Sequence, residues 1–470
     1  MKLTSLIAGK PVSGNGTLSV RNPYNGDEVG TVITASRNDV DAAVAAACGF
    51  RDTPSRYQRS EILEKTRAAL ETRREEFART ISSEAGLALR EGRYEVGRTL
   101  DVLRFAAMEA LRDDGQIFSA DISPQGKARK IFTTREPLRC AAAITPFNHP
   151  LNQVAHKVGP AIAAGTPLVL KPSEKTPLTA LKLAELLYAA GLPGPMLSVL
   201  LGKTSEVAEP LVQHPDVEVL AFTGSVAIGK RISVTAGYKK LVLELGGNDP
   251  LIVLNDADLD LAVTLAAEGS FRNSGQRCTA VKRILVEDGI AAKFTALLVE
   301  KTKEYVCGDP MDEATRVGTV IDEHAAIQLE EVLKEAVAAG AKVLIGGTRR
   351  GAQLQPTVIA EVPRNCRMVV SESFGPLAPI LTVRNLDDAL TLANSTAYGL
   401  SSGVVTTSLP SALKAIKTLR CGTVNINEVP GFRVENSPFG GIKDSGMGVK
   451  EGVIEAMKAY SFVKTFSLPW

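Results

Sequence analysis

Between residues 139 and 306 short apolar segments alternate with longer amphipathic ones, and this rhythm constrains the fold more than any other feature of the chain. The runs 139–145, 167–171, 197–200, 219–222 and 241–244 are too short for helices and read as buried strands, while 151–164, 179–190, 204–213 and 226–236 carry apolar residues at helical intervals. Strands joined through helices pair in parallel and bury both faces. The pattern therefore predicts a doubly wound α/β sheet with ligands at the carboxyl ends of its strands. After Gly246 the rhythm restarts, with strands at 251–254 and 283–286 and helices at 259–273 and 291–306. A chain of 470 residues accommodates a second such sheet, since domains run to about 100–200 residues each.

Around this frame the chain reads in simpler pieces. Turn signals at 13–16 and 22–26 predict short hairpins over residues 1–35. Asn38 and Asp39 are placed to cap a helix over 40–48, a second helix is predicted over 60–82, and a third over 90–112 sets Tyr94, Arg98, Asp101 and Phe105 on one stripe. On that stripe Arg98 is either a snorkelling surface side chain or something with a partner inside. Residues 116–136 turn polar and extended, as a protruding arm does, and 460–470 read as an apolar edge strand that docks on another element or subunit.

Charge excludes several functions. Lys and Arg number 54 against 52 Asp and Glu, and the signs alternate along the helices, so no polyanion such as nucleic acid is implied as a partner. The six cysteines include no CxxC pair and no spacing that would hold zinc, a pattern of a reducing, cytoplasmic compartment with no metal. The first ten residues are not a signal peptide, and no apolar run reaches the roughly 18 residues of a membrane helix.

Chemistry gathers in several short motifs. Cys278 sits in Gly-Gln-Arg-Cys-Thr-Ala among small and polar neighbours, as a presented nucleophile does, although a lone cysteine is more often a small buried hydrophobe. Phe222-Thr223-Gly224-Ser225 runs from strand to helix and offers backbone amides to a phosphate. Gly224 to Lys230 also fits a P-loop, but Arg231 stands where a triphosphatase needs Ser or Thr for magnesium. Lys171-Pro172-Ser173-Glu174 ends a strand with a lysine and a carboxylate that suit ribose hydroxyls, or else forms a solvated turn. Glu244, before Gly246-Gly247, is either a general base or a cap, and Asn148 is either an oxyanion donor or a turn residue.

Taken together, Pro-Phe-Asn at 146–148, Lys-Pro-Ser-Glu at 171–174, Phe-Thr-Gly-Ser at 222–225, Glu-Leu-Gly-Gly-Asn at 244–248, Gly-Gln-Arg-Cys at 275–278, Glu-Ser-Phe-Gly-Pro at 372–376 and Pro-Phe-Gly-Gly at 438–441 occur in the order seen in aldehyde dehydrogenases. The chain resembles that superfamily over essentially its whole length. The resemblance implies two doubly wound α/β domains with a small β oligomerisation arm: an NAD-binding domain from 1–115 and 137–245, the arm at 116–136, and a catalytic domain at 246–425. A segment at 426–455 returns over the crevice, and an oligomerisation strand occupies 456–470 of a homodimer or homotetramer.

The resemblance also implies a mechanism. Cys278 attacks an aldehyde, Asn148 holds the oxyanion, the hydride passes to NAD, and Glu244 activates water to release an acid rather than an acyl-CoA. Glu372 would hold the nicotinamide ribose and Phe374 would pack near the nicotinamide. Thr145, Pro146, Phe147, Lys171, Ser173, Glu174, Gly224, Ser225 and Leu245 would line the cofactor. Glu174 favours NAD over NADP, because a carboxylate repels a 2′-phosphate. Arg277 and Arg98 match the phosphate-facing arginines of the non-phosphorylating glyceraldehyde-3-phosphate type, whereas His149 replaces that type's tyrosine. With Arg433 as a further candidate, the set most resembles the phosphonoacetaldehyde-oxidising members. Glyceraldehyde 3-phosphate, sulfonated aldehydes, succinate semialdehyde and a catalytically silent NAD-binding protein remain alternatives.

Overall fold

The apolar strands pair in parallel, as their helical connections require. In the computed structural model, which describes residues 1–470, five of them form one sheet in the order Lys240–Glu244, Val219–Thr223, Ala141–Ile144, Leu168–Lys171 and Leu197–Val199. The hairpin Leu6–Ile7 and Lys10–Pro11 extends its far edge by antiparallel pairing. Strand order reverses between Ala141–Ile144 and Val219–Thr223, so a crevice opens beyond their carboxyl ends, where residues 145–147 and 224–225 lie.

The second sheet runs Lys342–Ile345, Thr357–Ala360, Leu377–Val383, Val281–Glu287, Asp249–Val253, Ser401–Val405 and Thr423–Ile426, parallel except at its first strand. Leu245, Gly246, Gly247 and Asn248 make the first passage from one sheet to the other, between Lys240–Glu244 and Asp249–Val253. That short link is where the candidate site forms.

Outside the sheets, Ile117–Ser119, Arg129–Pro137 and Ser461–Pro469 build a three-stranded antiparallel arm. The terminal strand pairs with Arg129–Pro137 along its whole length, from Ser461 opposite Pro137 to Pro469 opposite Arg129, with Phe132 stacked on Phe466 at 5.4 Å. Beyond Ser461 every residue of that strand is exposed. No helix is long and apolar enough to cross a membrane.

Three local expectations differ from the structure. The predicted helix over 60–82 is two helices, Arg56–Thr72 and Arg74–Ala85. The Thr72 hydroxyl takes the Ala69 carbonyl at 2.8 Å, and the Arg73 amide, which would continue the ladder there, bonds Leu70 instead. The first long helix begins at Arg37, capped by Ser36; Asp39 is the third residue in, closing a capping box rather than acting as the cap. The helix expected over 204–213 opens as a π turn, Thr204–Ala208, before Glu209–Gln213, because Pro210 lacks the amide an α ladder needs.

Candidate active site

The helix Leu259–Phe271 ends in a tight turn in which Asn273, Ser274 and Gly275 all take left-handed backbone angles (φ 57°, 53° and 69°). Such geometry costs about 1–2 kcal/mol at each non-glycine residue, and side chains from distant segments hold it. Asn273 donates to the Asn148 carbonyl at 3.0 Å, Asn148 donates back to the Gln276 carbonyl at 2.8 Å, and the Gln276 side chain accepts from the Ile321 amide. At Gly275 a Cβ would lie 2.1 Å from the Gly375 carbonyl. The turn thereby delivers Cys278 to the floor of a cavity. One Asn148 amide hydrogen is spent on Gln276, which leaves the other for a ligand, and the Cys278 amide is engaged by no other backbone group.

Both glycines of the intersheet link are needed for close approach. A Cβ at Gly247 would meet the Cys278 carbonyl at 2.3 Å, and one at Gly246 would meet Glu372 Oε2 at 2.2 Å. The Gly247 amide donates to Glu372 Oε1 at 3.2 Å. Lys282, buried beneath the Phe374 ring at 4.9 Å, ties the same loop to the nucleophile turn by donating to the Ser373 carbonyl at 2.9 Å and to the Gly275 carbonyl at 3.4 Å. Phe374 meets Phe147 edge-on at 6.0 Å.

Burial dominates the electrostatics. It pushes the Cys278 thiol up to about 12, with the carboxylates of Glu372, Asp249 and Glu244 adding to the effect and Arg433 opposing it. The Glu244 carboxyl is raised well above 4.5, first by burial and then by Glu451, and neither of its oxygens has a partner. Behind it Lys157, in the buried helix Asn152–Ala164, is ion-paired to Glu451 and donates to Thr223 Oγ1 at 2.9 Å. Burial also raises Glu372, against the pull of Lys282.

The cavity on the outer side of Cys278 holds about 290 Å³ and is lined by Arg98, His149, Arg272, Arg277 and Arg433. Their charges are not equally available. Glu435 grips Arg98 side-on at 2.5 and 3.2 Å, and Glu91 grips Arg272 at 3.1 and 3.3 Å. His149 lies 3.4 Å from Glu95. Arg277 hydrogen-bonds only the carbonyls of Glu268 and Gly269 at the preceding helix end, and its Nε is buried without a partner. Burial and the neighbouring Arg272 lower it to about 10. Arg433 lies over the Phe439 ring at 3.9 Å, and its Nη1 is likewise buried and unpartnered.

On the opposite side, facing the first sheet, an apolar slot of about 240 Å³ lies between the helices Glu209–Gln213 and Val226–Thr235, lined by Ile144, Lys171, Val212, Phe222, Ile228 and Ile232. Its dimensions and apolar walls suit a flat heteroaromatic ring. Lys171 pairs with Glu174 at 3.0 Å, after which Ser173 caps the Lys175 amide at 3.2 Å. The Gly224 amide is not free for a phosphate, as the motif had suggested, but donates to the Glu244 carbonyl at 3.1 Å. Ser225 caps nothing, so the first-turn amides of Val226–Thr235 remain open toward the crevice. The Thr145 hydroxyl is buried and unpartnered beside Pro146, and Leu245 packs its Cδ2 where a Cβ on Gly229 would be, 2.4 Å away.

The crevice thus sets a buried thiol and a buried carboxyl on one side and a slot that suits a heteroaromatic ring on the other. The chain belongs to the aldehyde dehydrogenase family, whose sequence model matches residues 11–466. It is 42% identical over 436 residues to a 3-sulfolactaldehyde dehydrogenase of Priestia aryabhattai, covering 93% of this chain and 91% of that one. It is 37% identical over 453 residues to a sulfoacetaldehyde dehydrogenase of Neptuniibacter caesariensis, covering 96% and 99%. Its fold superposes with a TM-score of 0.96 on the NADP-dependent glyceraldehyde-3-phosphate dehydrogenase of Bacillus halodurans complexed with NADP, at 33% identity and with 100% and 99% of the two chains covered. The protein is an NAD(P)-dependent aldehyde dehydrogenase.

Several residues of the site carry no motif. Glu435, Glu91, Arg272, Lys157, Glu451, Lys282 and Asp249 are charged, and all but the partly buried Arg272 are buried. Only Lys157 carries a sequence signal, a charge inside the largely apolar run 154–164, whereas Glu91, Lys282, Glu435 and Glu451 each have another charged residue within two positions and stand out in no way.

Proposed function

We propose that the protein oxidises a small aldehyde bearing a terminal phosphonate or sulfonate to the corresponding carboxylic acid, with phosphonoacetaldehyde as the leading substrate. The observation that carries this reading is the pair of guanidiniums, Arg277 and Arg433, each with an unpartnered buried nitrogen in the cavity that opens on Cys278. Glu435 and Glu91 pair closely with Arg98 and Arg272, whereas Arg277 meets no carboxylate and Arg433 approaches Glu435 only to 4.0 Å. A phosphonate dianion matches both, and bidentate guanidinium bonds suit its tetrahedral oxygens. The sulfonate reading is favoured by the relatives that act on sulfolactaldehyde and sulfoacetaldehyde.

In this reading the anionic head lies against Arg277 and Arg433 with Arg98 and His149 beside it, and the carbonyl carbon reaches Cys278 Sγ. The free Asn148 amide hydrogen and the Cys278 amide take the developing oxyanion. Burial keeps the thiol protonated in the resting site, so attack is coupled to transfer of its proton to water in the cavity. NAD(P)+ supplies the hydride acceptor when bound. Glu372 and the Lys171–Glu174 pair would hold its riboses, the open amides after Ser225 would take its pyrophosphate, Phe147 and Phe374 would lie at its nicotinamide, and Glu174 would disfavour a 2′-phosphate. Glu244, with both oxygens free, then takes the proton of the hydrolytic water. The bare outer edge of Ser461–Pro469 is the surface through which copies of the chain associate.

Steady-state oxidation of phosphonoacetaldehyde, sulfoacetaldehyde and an uncharged aldehyde of equal length, each with NAD and with NADP, tests the proposal. The expected order of kcat/KM is phosphonate, then sulfonate, then neutral, with NAD preferred. A neutral aldehyde oxidised as efficiently as the anions overturns it.

A further inference from the structure

We propose that Glu435 is a specificity-determining positioning residue, which neutralises Arg98 and thereby lowers the positive charge the cavity offers to an anion; the inference rests on the anion-binding reading above. Glu435 lies behind the cavity wall and is 5% exposed. Its two oxygens meet the Nε and Nη2 edge of Arg98 at 2.5 and 3.2 Å, and Oε2 also meets His156 Nε2 at 2.6 Å and approaches Arg433 Nη2 to 4.0 Å. Three basic side chains from three segments thus converge on one carboxylate. Its backbone is fixed as well, since the Glu435 carbonyl accepts from the Val453 amide at 3.0 Å at the start of the helix Val453–Ala459.

The consequence is a matter of counting charge. With Glu435 ionised, Arg98 is balanced and presents only its outer Nη1 edge, Arg433 lies 4.0 Å from the same carboxylate, and Arg277 meets none. Without that carboxylate a third guanidinium would stand uncompensated in a buried space, a condition costly enough to recruit any small anion from solution. Inorganic phosphate and sulfate carry the same tetrahedral oxygens as the proposed substrates, so an unbalanced cavity would be plugged by them. Glu435 therefore sets a charge threshold: the positive charge it leaves is enough for an aldehyde that also bonds covalently to Cys278, and too little to hold a free oxyanion tightly.

Glu435→Gln preserves shape and removes the charge. Binding of inorganic phosphate, measured by calorimetry and as competitive inhibition against the aldehyde, should tighten about tenfold, the lower range of one charge-assisted hydrogen bond. The ratio of kcat/KM for phosphonoacetaldehyde over sulfoacetaldehyde should rise by a similar factor. Pairing the change with Arg98→Gln restores the charge count and should return phosphate affinity close to the wild-type value, which a structural role for Glu435 would not do. Glu435→Asp keeps the charge and should retain wild-type phosphate affinity even if stability falls. Unchanged phosphate affinity and substrate ratio in Glu435→Gln, with the wild type still preferring anionic aldehydes, refutes the role of Glu435 alone. A wild type indifferent to substrate charge removes the anion-binding reading beneath it.

Discussion

Replacing Arg277 with glutamine separates the two things this side chain does. Its guanidinium donates to the Glu268 and Gly269 carbonyls at 3.0 and 2.6 Å, and the same side chain lines the cavity where the anionic head is proposed to bind. Losing one charge-assisted bond to an anionic head costs about 1.5–3 kcal/mol, equivalent to a fall of roughly 10- to 150-fold in kcat/KM. The loss should lie mainly in KM, because the head group is held alike in ground and transition states, and an uncharged aldehyde should be affected no more than about threefold. Leaving two helix-end carbonyls with a weaker partner should also lower stability by about 1–2 kcal/mol, visible in urea titration. The kinetic assay is NADH formation with charged and neutral aldehydes on folded protein. An equal loss for both substrates, or a loss confined to kcat, would mean that Arg277 orients the Cys278 turn and does not contact the anion.

Two further outcomes follow from the buried acids. Glu244 has its folded-state pKa raised above 4.5, so it is protonated in the native state over a range where the unfolded chain has already lost the proton; folding is penalised above about pH 4.5, and the penalty grows with pH until the folded group itself ionises. Glu244→Gln should therefore raise Tm at pH 7–8 and leave it unchanged near pH 4, and a parallel pair of Tm–pH curves would contradict this. With the Cys278 thiol at about 12, alkylation at Cys278 itself, read by peptide mass in the cofactor-free enzyme, should be slow at pH 7 and accelerate about tenfold per pH unit up to pH 10. A plateau below pH 8 would show a preformed thiolate.

The motifs are legible in sequence because each is local. A strand end, a glycine pair and a small-residue turn occupy neighbouring positions, and the chemistry of Cys278, Glu244 and Lys171 is advertised by the residues beside them. The alternation of apolar runs likewise makes parallel sheets the natural outcome, since residues buried on both faces leave no polar alternation to read. Local reasoning failed where a side chain competed with the backbone, as at Thr72, or where a neighbour displaced the expected cap, as at Ser36.

What only the tertiary structure decided is which charges are spent. Arg98 and Glu435 are 337 positions apart, and no pattern around either announces the other. From sequence Arg277 and Arg98 are candidate anion ligands with Arg433 as a further one, and nothing shows which is already paired; in the folded chain Arg98 is neutralised at 2.5 Å and the other two keep an unpartnered nitrogen. The same is true of Glu244, whose place beside Gly246 is local while its raised pKa comes from Glu451, 207 positions on, and from burial by the whole crevice. Residue identity and spacing determine which groups are available for chemistry. Their charge state is set by desolvation and by partners brought from elsewhere in the chain, and both exist only once the two sheets have closed around them.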